Sequence, residues 1–288
     1  MKLAGYPFKT HKFKINGHAM SYLDEGRGKV IVMLHGNPTW SYFYRNLVPV
    51  LRKKYRVIVP DHMGCGLSDK PYRYPYTLRT HIDNLDQLLA HLKVDKCTLV
   101  VHDWGGAIGM GYAERHAGQI ESLVIMNTAA FRSKEIPRRI EVCRIPLLGE
   151  FLVRGLNVFA RGALWMAAVK RLPRPVRKGF LAPYNSWRNR IAVYNFVKDI
   201  PLSCAHPSWE TLLKVEGGLS EFKKTPLLIL WGGKDFCFND YYFNEWKERF
   251  PQARSIYFES AGHYLLEDSL KEIVPLLSSF LAEHLSQS

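Results

Sequence analysis

The chain has 288 residues, 47% of them hydrophobic and 23% charged, the balance of an ordinary globular protein long enough to bury a substantial core. No stretch reaches eighteen uninterrupted apolar residues and the first residues, MKLAGYPFKTHKFKING, lack the apolar run of a signal peptide, so a spanning or secreted protein is set aside and a cytoplasmic one is expected. The net charge of +14 admits nucleic acid, an anionic membrane surface or an acidic partner, but Lys and Arg are spread along the chain, clustering only from Arg132 to Arg144 and from Lys170 to Lys178, with no nucleic-acid module beside them.

Residues 12–23 (KFKINGHAMSYL) predict a hairpin turning at Asn16-Gly17. Six short apolar, β-branched runs follow: VIVML (30–34), RVIVP (56–60), CTLVVH (97–102), SLVIM (122–126), LLILW (227–231) and SIYF (255–258). Helix-period segments lie between most of them, over 40–53, 78–92, 105–117, 239–249 and 269–285. Continuous apolar strands separated by helices predict an α/β protein whose mostly parallel, eight-stranded sheet is covered on both faces. From about residue 131 to 222 the strands vanish and the chain turns helical, rich in aromatics, Pro and Arg. We therefore expect a catalytic domain over 1–130 and 223–288, with 131–222 inserted as a helical cap. Cys65, Cys97, Cys143, Cys204 and Cys237 are scattered and never form a CxxC pair, which predicts free thiols and neither disulfide nor metal framework.

In an open parallel sheet, chemistry collects at the carboxyl ends of the strands. The stretch LVVHDWGGAIG (99–109) sets Asp103 at such an end, and Gly105 and Gly106 permit the sharp strand-to-helix turn of a nucleophile elbow. Asp stands where the usual elbow has Ser, and Val101 where it has Gly; a simple helix cap is the competing role for Asp103. Asp235, after the strand ending at Trp231, and His263, in Ser260-Ala261-Gly262-His263, follow in the order nucleophile, acid, histidine of α/β-hydrolases. His35-Gly36-Asn37-Pro38 follows the first parallel strand, where a backbone N–H is supplied to an oxyanion hole, and the Asn37 amide and Trp104 indole are further donors for developing negative charge. The turn Asp61-His62-Met63-Gly64-Cys65-Gly66-Leu67-Ser68-Asp69 is expected to shape the rim of the site, with His62 structural.

On HGNPTWSYFYRNL, DHMGCGLSDKP, VHDWGGAIGMGYAERH, WGGKDFCF and SAGHYLLED the chain resembles the haloalkane dehalogenase branch of the α/β-hydrolases. The resemblance implies an α/β-hydrolase fold with Asp103 as nucleophile, His263 as base, Asp235 as acid, and Asn37 with Trp104 as the clamp for the departing anion. The loop Asn127-Thr128-Ala129-Ala130-Phe131, where one dehalogenase subgroup carries its acid, has no carboxylate. Over the insertion, FLAPYNSWRNRIAVYNFVKDIPLS (180–203) and the segment before it look closest to the β-lactone decarboxylases of bacterial long-chain olefin biosynthesis, and the HMGCG turn is similar to theirs. That likeness implies decarboxylation of cis-3,4-dialkyl β-lactones to cis-alkenes and carbon dioxide, without cofactor or metal, on a long-chain hydrophobic substrate and in assembly with other olefin-biosynthesis enzymes. Haloalkane hydrolysis through an alkyl-enzyme ester is the alternative. Epoxide hydrolysis, with Tyr184 and Tyr194 as proton donors, and a ligand receptor without turnover stand behind it. The apolar segment from Ile145 to Met166, with Arg154 and Arg161 seven apart on one expected helix face, reads either as a roof over the site or as an amphipathic surface for a membrane or partner.

Overall fold

The computed structural model describes residues 3–133 and 135–285. Its strands are β1 (His11–Ile15), β2 (His18–Glu25), β3 (Val30–Leu34), β4 (Arg56–Pro60), β5 (Cys97–His102), β6 (Ile120–Met126), β7 (Leu227–Gly232) and β8 (Arg254–Phe258). They form one sheet in the order β1-β2-β4-β3-β5-β6-β7-β8. β1 and β2 make the expected antiparallel hairpin, with Asn16 and Gly17 at positive φ in its two-residue turn. β2 pairs antiparallel with β4, and every later pairing is parallel.

Strand alternation divides the core. Ile31 and Met33 join a cluster on one face with Val57, Val59, Val100 and Leu277. Val32 and Leu34 point the other way and pack with Ile58, Leu99, Ile82 and Ile108. A residue period of two thus serves helices on both faces, the reason for the unbroken apolar runs. Register then gathers the strand ends: Leu34 lies opposite Val101, His102 opposite Met126, and Gly232 opposite Phe258. The loops beginning at residues 35, 103, 127, 233 and 259 therefore open on one edge.

Two local expectations are corrected. Residues 40–53 do not form one helix but a 3-10 turn, Ser41–Tyr44, and a single turn, Val48–Leu51. Trp40, Tyr42, Phe43 and Tyr44 are all fully buried, so residues 40–45 have no solvent face; Asp61 takes the Ser41 N–H and Tyr44 Oη donates to the Leu34 carbonyl. The segment from Ile145 to Met166 is likewise broken, by Asn157 in the left-handed region between a π-turn at Phe151–Gly155 and the helix Val158–Met166. Arg154 is buried against Glu150 and the Trp187 ring while Arg161 is exposed, so the two do not share a face.

Between β6 and β7 the described residues contain helices only, from Arg138–Val142 to Trp209–Gly218. Ile191–Lys198 drives six buried residues down toward the sheet edge. The last α-helix before β7, Trp209–Gly218, turns Leu212 and Val215 into the same cluster as Ile82 and Ile108 and so covers the sheet.

Arg45 and Glu267 form a bidentate pair at 2.5 and 2.9 Å, with side chains only 4% and 7% exposed, joining the turn after β3 to the loop after His263. Removing one partner strands the other charge in low dielectric. Glu267→Gln is expected to lower stability by about 3 kcal/mol, measured as a lower urea midpoint at unchanged m-value.

Candidate active site

Asp103 follows β5 and caps the helix Trp104–Arg115 from φ 52°, ψ −128°, a backbone region that a non-glycine residue occupies only under constraint. Several contacts hold it there. Its N–H donates to the Asn127 carbonyl at 3.1 Å, and its carbonyl accepts from Gly106 N–H and the Thr128 hydroxyl. Two glycines allow the close approach: a Cβ on Gly36 would lie 1.9 Å from Asp103 Oδ1, and one on Gly105 2.2 Å from the Leu34 carbonyl oxygen. The elbow expected from LVVHDWGG is therefore present.

The two carboxylate oxygens of Asp103 have different surroundings. Oδ1 accepts from the backbone N–H groups of Asn37 at 2.7 Å and Trp104 at 2.6 Å. Oδ2 faces His263 Nε2 at 3.4 Å. Behind it, His263 Nδ1 lies 2.7 Å from Asp235 Oδ2, whose other oxygen accepts from the N–H groups of Cys237 and Phe238. Asp103, His263 and Asp235 thus form one buried chain in the expected order. The backbone donors foreseen for an external oxyanion instead hold one oxygen of Asp103, which leaves Oδ2 without a backbone donor and facing His263.

Electrostatics follow from this chain. Burial opposes the charge on His263, but the Asp235 carboxylate and hydrogen bonds to Asp103 and Asp235 outweigh it and push its pKa up to about 10. Burial likewise opposes ionisation of Asp103, yet its hydrogen bond to His263 and the charge there hold its pKa below the ordinary carboxylate value. Both shifts favour a protonated His263 beside the Asp103 carboxylate. His102, stacked on Phe43, meets the His263 carbonyl through Nε2 at 2.8 Å; burial and the nearby His263 charge push its own pKa down to about 3.

The clamp residues are also in place, with one difference. Trp104 lines the cavity above Asp103, and its indole N–H has no acceptor among the described residues. The Asn37 amide instead donates to the Val193 carbonyl of the cap helix at 3.1 Å, leaving one N–H for a ligand. The cavity holds about 430 Å³ and is walled by apolar side chains such as Phe131, Phe159, Met166, Leu212 and Phe238, with Asp103 and His263 among its few polar residues. Arg139 and Glu135 also line it.

Three sequence readings need correction or addition. The turn from Asp61 to Asp69 does not line the cavity. It is buried beneath the cap: Asp61 accepts from Ser41 and Leu67 N–H groups, with burial raising its pKa to about 6, and a Cβ on Gly64 would meet Ala192. His62 is structural as expected, its ring meeting the His35 carbonyl at 2.9 Å. Tyr184 and Tyr194 are absent from the cavity wall, and Tyr184 donates to the Thr39 carbonyl, so neither is placed as the proton donor expected of an epoxide hydrolase. Asp268 went unnoticed: its carboxylate accepts from Gly262, Val169 and Lys170 N–H groups at 2.9 Å, and the Ala167 carbonyl accepts from Tyr264 N–H, fastening the cap on both sides of His263. A carboxylate five residues past a loop histidine carries no sequence signal for such a contact.

Residues 29–270 match the family model of the alpha/beta hydrolase fold. The chain is 46% identical to a cis-3-alkyl-4-alkyloxetan-2-one decarboxylase of Shewanella oneidensis, over 96% of this chain and 89% of the relative. It is 45% identical to another of that name from Xanthomonas campestris pv. campestris, over 98% of each. A haloalkane dehalogenase of Mycobacterium marinum is 34% identical over 81% of this chain and 80% of its own. Among solved structures, a haloalkane dehalogenase of Bradyrhizobium elkani superposes with TM-score 0.88 at 24% identity, covering 96% and 98% of the two chains.

Because its folded pKa lies above the ordinary 6.5, the His263 cation contributes stability that is complete below that value and is lost as pH rises through about 10. Imidazole ¹⁵N shifts should therefore report a protonated His263 at pH 8. Asp103→Asn should lower its pKa; an unchanged titration in that variant would refute the coupling.

Proposed function

This chain belongs to the α/β-hydrolase family, on the branch shared by cis-3-alkyl-4-alkyloxetan-2-one decarboxylases and haloalkane dehalogenases, and from that membership we propose that it converts cis-3,4-dialkyl β-lactones to cis-alkenes and carbon dioxide. The observation that carries the reading is near-full-length identity of 45–46% to two such decarboxylases, against 28–34% for the dehalogenases of comparable coverage. The reaction belongs to long-chain olefin biosynthesis, and a cytoplasmic setting is proposed with it.

In the proposed reaction Asp103 is the nucleophile. Its Oδ2 attacks the ring carbon bearing oxygen from the side opposite that oxygen, forming an alkyl ester as the carbon–oxygen bond breaks and its electron pair leaves on a substrate carboxylate. Backside attack sets the new ester oxygen anti to that carboxylate without any rotation. The bond to the carboxylate carbon then breaks, its pair forms the carbon–carbon double bond, and the ester oxygen departs with the pair it brought. Inversion followed by anti elimination yields a cis-alkene from a cis-lactone, expels carbon dioxide and restores Asp103. Trp104 and Asn37 receive the transient carboxylate through N–H groups, and Asp235 keeps His263 oriented and charged. Opening at the carbonyl, through a mixed anhydride, is the rival route.

No step moves a proton or consumes water. A histidine held as a cation supports this reaction, because one negative charge passes from Asp103 to the substrate and back within its field. Haloalkane hydrolysis places a different demand on the same atoms, since His263 must take a proton from water to cleave the ester.

Purified protein given a long-chain cis-β-lactone should release alkene, measured by gas chromatography. Asp103→Ala should lower the rate by about three orders of magnitude or more. Halide release from a long 1-haloalkane without alkene from the lactone would assign the protein to the dehalogenases instead.

Isotope labelling separates the water-free cycle from a hydrolytic one on the native protein. After turnover in H₂¹⁸O, the peptide containing Asp103 should keep its unlabelled mass, because water never attacks the ester. Incorporation of ¹⁸O into Asp103 during lactone turnover would overturn the water-free cycle.

A further inference from the structure

The charge of the chain is concentrated over its cavity. Lys and Arg occur throughout the sequence, but residues 131–190 contain fourteen of them against three Glu, a net +11 of the whole chain's +14. Among the described residues this segment makes only two ion pairs, Arg132 with Glu216 and Arg154 with Glu150. Arg138, Arg139, Arg161, Arg171, Arg174 and Lys178 are exposed.

Set among these cations is an unusual number of exposed apolar side chains. Leu147 is 83% exposed, Trp165 58% and Phe151 54%, and Leu148, Leu156, Val158, Met166, Val169 and Trp187 are exposed as well. Leu147 stands at φ 64°, a conformation costly for a leucine. Neither burial nor backbone geometry within the chain rewards that residue there. Phe151 and Trp187 are neighbours, both within 3.5 Å of a Cβ placed on Gly155, and Trp165 lies under Arg171 and Arg177.

This apolar surface continues into the cavity. Val158 and Met166 are exposed to solvent and also line the cavity wall. Arg139 stands at the same rim, its guanidinium 3.0 Å from Met166 Sδ and 6.0 Å from the Phe236 ring centroid. Exposed apolar side chains, exposed cations and part of the cavity wall thus belong to one segment of the cap.

We infer that the cap docks on an anionic lipid bilayer, with Leu147, Phe151 and Trp165 in the acyl boundary, the surrounding Arg and Lys at the headgroups, and the cavity mouth opening to the lipid. Charge complementarity selects this occupant: a bilayer supplies diffuse negative charge together with apolar depth, which exposed cations interspersed with exposed apolar side chains match. Entry of substrate from the lipid rests on the lactone reading, because two long alkyl chains confine such a lactone to the membrane. The docking itself does not.

The test uses the full chain and two readouts. Co-sedimentation is measured with vesicles of phosphatidylcholine alone and of phosphatidylcholine with phosphatidylglycerol. The native protein should pellet with the anionic vesicles at low salt, and largely remain in solution with the neutral ones or at high salt. The triple variant Leu147→Ser, Phe151→Ser, Trp165→Ser, none of which lines the cavity, should lose at least about tenfold in bound fraction. That variant should still turn over a short, water-soluble cis-β-lactone at the native rate, while losing turnover of a long lactone embedded in vesicles.

Native protein that stays in the supernatant with anionic vesicles overturns the proposal. So does a triple variant that binds as well as native, or a native dimer by ultracentrifugation that the triple variant dissolves, which would give the face to a second copy. Vesicle binding without any lactone turnover by the native protein supports the docking and removes the proposed reaction.

Discussion

The site hangs on one strained residue. Asp103 is held at positive φ between the end of β5 and the first turn of the following helix, and its surroundings are arranged around that geometry. Gly36 and Gly105 leave room for it, Asn127 and Thr128 tie down its backbone from the end of β6, and the N–H groups of Asn37 and Trp104 take one of its oxygens. Strain of this kind costs on the order of 1–3 kcal/mol and persists only where neighbouring structure over-determines it. Here the return is directional: with Oδ1 held by two backbone N–H groups, Oδ2 is the oxygen that faces His263.

The cap is fastened to the same few residues. Asn37 donates forward to Val193 in the descending cap helix, while Asp268 gathers N–H groups from both the cap and the His263 loop. Asp199, at the end of the cap helix, accepts from Leu78 N–H and the Ser208 hydroxyl. Asn37 bonds the cap directly, and both chain neighbours of His263 are tied to it, Tyr264 through Ala167 and Gly262 through Asp268. The buried Arg45–Glu267 pair fixes the remaining side of that loop.

What was readable in the sequence follows the physics of each part. Strands buried on both faces must be continuously apolar, so all six parallel strands could be located within a residue or two, and the hairpin announced itself through Asn16-Gly17. Asp103, Asp235, His263, Asn37 and Trp104 could be named because each lies within five residues of the carboxyl end of a strand. The structure brings all five to one edge, although their roles were carried by resemblance and remain part of the proposal. Cap geometry was not readable in the same way. The left-handed Asn157 that splits Ile145–Met166, the burial of Arg154 and the inward packing of the turn from Asp61 to Asp69 are tertiary outcomes, decided by contacts far away in sequence. Residues 40–53 show the same limit: aromatics buried on every side have no helical face to display.

The charge pattern joins the two halves of the molecule. Outside residues 131–190 the chain is nearly neutral, with twenty-six Lys and Arg against twenty-three Asp and Glu. Inside the site, two carboxylates flanking a protonated His263 give the triad a net single negative charge that burial would make costly without the four backbone N–H donors around it. In the proposed cycle that charge only migrates a few ångströms and returns, so the protein need neither import a proton nor admit water. An apolar cavity suits that cycle, because low dielectric strengthens the attraction between His263 and whichever oxygen carries the charge. The cationic cap lies outside this balance, and its excess charge is left free to act on whatever lies beyond the molecular surface.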